Sequence, residues 1–259
     1  DKLNYIKYEV VGKVAVITID RPEKMNALSL DNQYDLDAAW KQLKDDSKVV
    51  IGVITGSGQR AFCVGADLKD DKSLSDRNVG KPADYAEASL FPREYDLNKP
   101  VIAAINGHAL GMGAAIAMQS DLRIISSNGS IGYPLVGIGM MPGALHDFWM
   151  ASPAAVANYA LYTGDPINAE DAYRAGIVNE ISEPDDLMTT TMELADRIAG
   201  KAPLVIQAIK RAWDSQKEFR EVKAWRDFAR MGTRVDLSED REEGREAFRQ
   251  KRKPDWNNR

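Results

Sequence analysis

Short runs that are apolar throughout recur along this chain, separated by segments of helical spacing. "VVIGVITG" ends at Gly56, "PVIAAIN" covers Pro100 to Asn106, and "DLRIIS" covers Asp121 to Ser126. A strand that is apolar on both faces must be covered on both, which is the situation of a parallel sheet between layers of helix. This alternation constrains the chain to an α/β protein with several short parallel strands.

The first unit shows the pattern most fully. "YIKYEVVGKVAVITID" reads as two strands around Gly12, and in the second Val14, Val16 and Thr18 alternate with Ala15, Ile17 and Ile19. The turn-rich loop "RPEKMNALS" follows, with Ser29 as N-cap of a helix whose Leu36, Ala39, Trp40 and Leu43 fall on one face. "GMGAAIAMQS" predicts a second helix, and "GIVNEI" a short strand after a segment rich in alanine and tyrosine. From about Pro184 the pattern becomes helical and stays so, with Ile206, Ile209, Trp213, Trp225, Phe228 and Phe248 among charged residues. A helical tail of this kind packs on the chain's own core or on a neighbouring subunit. The polar segment 70–99 has little periodicity, which leaves a functional loop and disorder both open.

Composition closes off several functions. A net charge of −5 argues against nonspecific nucleic-acid binding. The single cysteine, Cys63, excludes an internal disulfide and a cysteine-built metal site, and two histidines give no metal cluster. No apolar run is long enough to span a bilayer, and "DKLNYIKYEVVGKVAVITID" does not read as a signal peptide. The expectation is a cytoplasmic protein with no metal and no membrane partner.

"NGHALGMGAAIA" raises a sharper question. Its Gly111-Met112-Gly113 is followed by Ala114, Ala115 and Ile116, so the third glycine of a dinucleotide fingerprint is missing. A glycine turn into a helix also leaves the helix's first N–H groups aimed at a ligand, where they serve an oxyanion as readily as a phosphate. An oxyanion hole needs a second donor from another segment, and "AFCVGADLKD" offers a similar turn at Gly65 and Ala66. Each loop alone also reads as a tight connector.

In this order, "RPEKMNALS", "AFCVGADLK", "KPVIAAINGHALGMG", "YTGDPINAEDAYRAGIVNEI" and "EDREEGREAFRQKRKP" resemble the enoyl-CoA hydratase/isomerase (crotonase) family across almost the whole chain. The resemblance implies a spiral of repeated ββα units over 1–195, holding the CoA and active sites. It implies a helical region over 196–259 that assembles a homotrimer or a dimer of trimers. It further implies an acyl-CoA substrate, with coenzyme A part of the thioester and no permanently bound cofactor. By position, the backbone N–H groups of Ala66 and Met112 form the oxyanion hole, which stabilises a thioester enolate. Lys24, Ala27 and Leu28 match the segment lining the CoA adenine and ribose, Lys69 a lysine near its phosphates, and Phe248 and Lys251 tail residues that close over the nucleotide.

Two positions depart from the family's pattern. Where its hydratases carry two glutamates this chain has Ala115 and Leu135, and neither side chain moves a proton. The stretch "PGALHDFWMASP" also departs, and brings His146, Asp147 and Trp149 to the start of the next helix. His146 and Asp147 are candidates for acid/base work, although adjacent helical residues point about 100° apart. Tyr133 is a third candidate, beside Pro134. His108 reads as structural, and Asp67 as turn-forming. The expectation is an acyl-CoA enzyme with non-standard acid/base groups: an atypical hydratase or isomerase, a C–C hydrolase, or a decarboxylase. A non-catalytic acyl-CoA-binding protein is the alternative.

Overall fold

The computed structural model describes residues 4–68, 92–141, 145–215, 235 and 237–257. Strands β1 (Ile6–Val11) and β2 (Val14–Ile19) form an antiparallel hairpin turning at Gly12. Helix α1 (Leu30–Asp45) follows, opened by Ser29, which exchanges side-chain and backbone hydrogen bonds with Asn32 as a capping box. Leu36, Ala39, Trp40 and Leu43 are wholly buried, as their spacing predicts.

From here the strands alternate between two sheets. β3 (Ile51–Gly56) pairs parallel to β2, and the short β4 (Ala61–Cys63) then leaves for the second sheet. β5 (Val101–Ile105) returns to the first sheet, and β6 (His108–Leu110) again leaves it before helix α2 (Met112–Gln119). β7 (Leu122–Ser126) and β8 (Ser130–Gly132) repeat the step, followed by α3 (Leu145–Ala151) and α4 (Ala154–Thr163). β9 (Ile167–Asn168), α5 (Ala169–Arg174), β10 (Glu180–Ser182) and α6 (Leu187–Ala199) complete the core. The first sheet has the order β1-β2-β3-β5-β7-β10 and the second β4-β6-β8-β9. This is the spiral of ββα repeats that the resemblance implies.

The doubly apolar strands are explained by two cores. Ala15, Ile17, Ile54, Ala103, Ile105 and Ile125 face the interior between the sheets. Their neighbours Val14, Val16, Val53, Ile102, Ala104 and Ile124 face outward, where α6 covers them with Leu187, Ala195 and Ala199. Residues 203–215 are helical, and a last helix, α7 (Glu239–Gln250), docks on the 3-10 turn Pro134–Ile138. Its Gly244 permits that docking, because a Cβ there would lie 2.5 Å from the carbonyl carbon of Ile138. Among the described residues no helix is long and apolar enough to cross a membrane, and no cluster of three metal-ligating side chains is found.

Candidate active site

Two loops that are distant in sequence meet where the second sheet ends. After β4, the Cys63 thiol sulfur accepts the Gly65 N–H at 3.4 Å, and Gly65 takes a left-handed φ of +96°. Ala66 then forms an isolated parallel bridge with Leu28: Leu28 N–H donates to the Gly65 carbonyl at 2.8 Å, and Asp67 N–H to the Leu28 carbonyl at 3.0 Å. Such a bridge uses the peptide groups flanking Ala66 and turns its own N–H away from Leu28.

The second loop leaves β6 at Leu110. Gly111, at φ +55° and ψ −117°, adopts a conformation open essentially to glycine, and its N–H is held by the Gly132 carbonyl at 3.0 Å. The first turn of α2 closes when Ala115 N–H donates to the Gly111 carbonyl, which leaves the N–H of Met112 outside the helical ladder. A Cβ built on Gly65 would sit 3.3 Å from the Met112 nitrogen, and one on Gly113 would sit 2.7 Å from the Cys63 carbonyl carbon. The two loops are therefore in van der Waals contact, and side chains are excluded from the seam. Among the described residues, neither the Ala66 nor the Met112 N–H has a hydrogen-bond partner. Two unengaged donors at one seam, one at a helix N-terminus, suit a developing negative charge on oxygen.

The candidate side chains divide by burial. Ala115 is buried in the first turns of α2, and Leu135 is half-buried in the turn after Tyr133. Tyr133 is buried completely, with its ring 5.4 Å from that of Phe148 and its hydroxyl without a hydrogen-bond partner. Burial, and then the nearby charge of Asp147, raises its pKa far above the usual phenol range, so it stays protonated and cannot act as a base. Asp147 is buried too, and its charge also acts on Arg123. His146 is half-buried on α3, with its Nε2 shut off from solvent.

Arg123 carries no signal in the sequence beyond being a charge in an apolar strand. Its Nε donates to the Ile177 carbonyl at 2.6 Å, and its Nη1 to the carbonyls of Ala117, Met118 and Ser120 at the end of α2. A half-buried cation thus closes the helix whose other end faces the seam. Asn26 and Asn106 are further residues that sequence reasoning missed. Both are buried, and their side-chain amides converge on the Ala61 carbonyl at 2.8 and 2.9 Å. Asn26 sits in a segment that reads as a turn and Asn106 at the end of an apolar strand run, where asparagine is expected for local reasons.

The residues matched to CoA contacts are dispersed around the first loop and the tail. Lys24 is exposed in a 3-10 turn, whereas Ala27 and Leu28 are buried with their backbones committed to the bridge region. Phe248 is exposed on α7, and Lys251 caps that helix in a left-handed conformation. Lys69, most of the polar segment 70–99, Trp225 and Phe228 lie outside the described residues. His108 has its Nδ1 2.8 Å from Ser130 Oγ, joining β6 to β8. Asp67 is paired with Arg21.

The sequence matches the enoyl-CoA hydratase/isomerase family over residues 9–259. The chain belongs to that family. It is 38% identical over 213 residues to a short-chain-enoyl-CoA hydratase of Clostridium acetobutylicum, covering 82% of this chain and 81% of the relative. It is 37% identical over 257 residues to a carnitinyl-CoA dehydratase of Proteus mirabilis, covering 96% of each. A crystal structure of methylmalonyl CoA decarboxylase complexed with 2S-carboxypropyl CoA superposes with a TM-score of 0.86 at 27% identity, over 100% of both chains. The α/β spiral is the fold that this family membership calls for.

Proposed function

We propose that this chain is an acyl-CoA enzyme whose oxyanion hole, the N–H groups of Ala66 and Met112, stabilises a thioester enolate. The observation that supports this reading is the seam itself, where two unengaged N–H donors from separate loops adjoin. One such donor is worth about 3 to 4 kcal/mol in the transition state. Lys24, Ala27, Leu28, Lys69, Phe248 and Lys251 would contact the CoA moiety, and no bound cofactor is required.

The reaction is constrained by what stands at 115 and 135. Hydration needs a base to deliver water and an acid to protonate carbon, and alanine and leucine supply neither. Decarboxylation of an acyl-CoA that carries a carboxylate on C2 makes the same enolate without a base. The C–C bond breaks, its electron pair stays on C2 and delocalises to the thioester oxygen, and CO2 departs. One proton delivered to C2 then completes the reaction. Tyr133 is wholly buried against Phe148 and Asp147 is buried with its charge acting on Arg123, so we assign the relay of that proton to His146, half-buried on a helix packed against α2.

The test is a turnover screen with 2-carboxyacyl-CoAs and enoyl-CoAs, run beside calorimetry. Decarboxylation is the expected activity, and His146→Ala should lower its turnover at least about tenfold. Wild-type rates in that variant would remove His146 from the mechanism. Efficient hydration of enoyl-CoAs without decarboxylation would overturn the reaction assigned here. Tight acyl-CoA binding with no turnover of any kind would make the chain a binder instead.

A further inference from the structure

The Arg21 guanidinium bridges the two segments that meet at Ala66. Its Nη1 donates to the Asp67 carboxylate at 2.8 Å and to the Ala27 carbonyl at 3.2 Å. The Arg21 backbone N–H donates to Asn26 Oδ1 at 2.9 Å, and the guanidinium lies 5.8 Å from the centre of the Tyr5 ring. The side chains of Arg21 and Asp67 are only 16% and 11% exposed, so water screens the pair weakly. Met25 and Asn26, between Arg21 and Ala27, both hold left-handed backbone conformations, with φ of 55° and 56°. A loop bent in this way needs an external tie to keep one shape.

Backbone contacts hold the seam on one side only of Ala66's own N–H. Val64 N–H to Met25, Leu28 N–H to Gly65 and Asp67 N–H to Leu28 join the two segments, and Asn26 adds its amide to the Ser57 and Ala61 carbonyls, but none of these contacts engages a side chain on the Asp67 side of Ala66. The ion pair adds a tie on the residue next to Ala66, and its second contact closes the frame at Ala27. Resting on the oxyanion-hole reading above, we propose that the Arg21–Asp67 pair is a positioning device that sets the direction of the Ala66 N–H. A misaimed donor loses much of its hold on the oxyanion, because hydrogen bonds weaken steeply with angle. Arg21 and Asp67 themselves act only through Ala66, and neither is assigned a role in binding the nucleotide.

Arg21→Gln, Asp67→Asn and the double variant test this, since Asp67→Asn keeps the shape of the loop while removing the charge. The readouts are kcat on the decarboxylation substrate, the Kd for free CoA, and the infrared carbonyl stretch of a bound, unreactive acyl-CoA thioester. Each single variant should lower kcat at least about fivefold, and the double variant should be no more than twofold below the worse single, because both remove one interaction. The carbonyl stretch should move back toward its value in water, while the Kd for free CoA stays within about threefold of wild type. An unchanged carbonyl stretch and kcat in Asp67→Asn would overturn the proposal. So would kcat and CoA affinity falling in equal proportion, which marks a merely structural tie. If the wild-type protein shows no shifted carbonyl for the bound thioester, the oxyanion-hole reading itself fails and this inference falls with it. A normal wild-type shift with indifferent variants sinks the inference alone.

Discussion

Tyr133 shows how burial decides what a polar side chain can do. Its hydroxyl has been removed from water and given no partner, which costs about 1 to 3 kcal/mol. Its ring, in contrast, is well used against Phe148. Tyr133→Phe keeps the ring contact and deletes the unpartnered hydroxyl, so it should stabilise the protein, by about 1 kcal/mol. A higher urea midpoint at unchanged slope would show this, and kcat should stay within twofold of wild type. A large loss of kcat in a stabilised variant would return the phenol to the mechanism as a proton donor. The glycines at 65, 111 and 113 teach the complementary lesson. Their sequence pattern was legible because positive φ at the first two, and the crowding of Cys63 against the third, leave room for no other residue.

At the scale of elements, legibility follows length. β2, β3, β5 and β7 have five or six residues, and their apolar runs identify them directly. β4, β6, β8 and β9 have two or three, too few to show any period, so the second sheet was invisible without the family resemblance. "GIVNEI" pointed to the right region, but the strand itself is Glu180–Ser182, because Ile177 and Val178 are drawn into the core as the chain turns after α5. Of the candidate site, the glycine loops could be read from the sequence, whereas Arg123 and the Arg21–Asp67 pair could not, since both depend on contacts between separate segments. The tail offers a test at this scale. Glu243 on α7 holds Arg252 through two contacts of 2.5 and 2.8 Å and accepts the Asp255 N–H at 2.7 Å. The Arg252 hydrogen bonds first, and the Asp255 N–H second, lower its pKa from 4.5 to about 2. A carboxylate depressed in the folded state contributes fully above the unfolded value and loses its contribution as pH falls through the folded one. The tail should therefore stay docked at pH 4.5 and loosen as pH falls toward about 2. Brief pepsin digestion, followed by mass spectrometry, should cut wild type near Trp256 only toward the lower pH. Glu243→Gln should be cut already near pH 4, and equal protection of the two proteins would show that this clasp does not hold the tail.

Among the described residues, one run of large apolar side chains stands exposed at the scale of the whole molecule. The outward face of the first sheet is closed by α6, but the helical stretch that follows leaves Leu204, Val205, Ile209 and Trp213 at 79%, 58%, 65% and 45% exposure. Four large apolar side chains within ten residues form a patch that water penalises, at about 25 cal/mol for each Å² left uncovered. The resemblance implies a trimer or a dimer of trimers built by this C-terminal region, and we propose that this patch belongs to its interface. Light scattering on wild type should then give three or six times the mass of one chain. Ile209→Asp sets a charge in the middle of the patch, and burying an unpaired carboxylate against a neighbour costs several kcal/mol. It should shift the protein to smaller species while leaving the far-UV circular dichroism unchanged, because Ile209 contributes little to the fold of its own chain. A wild-type monomer would refute the expected assembly. A variant with undiminished mass would move the interface elsewhere on the molecule, and the patch would then need another occupant.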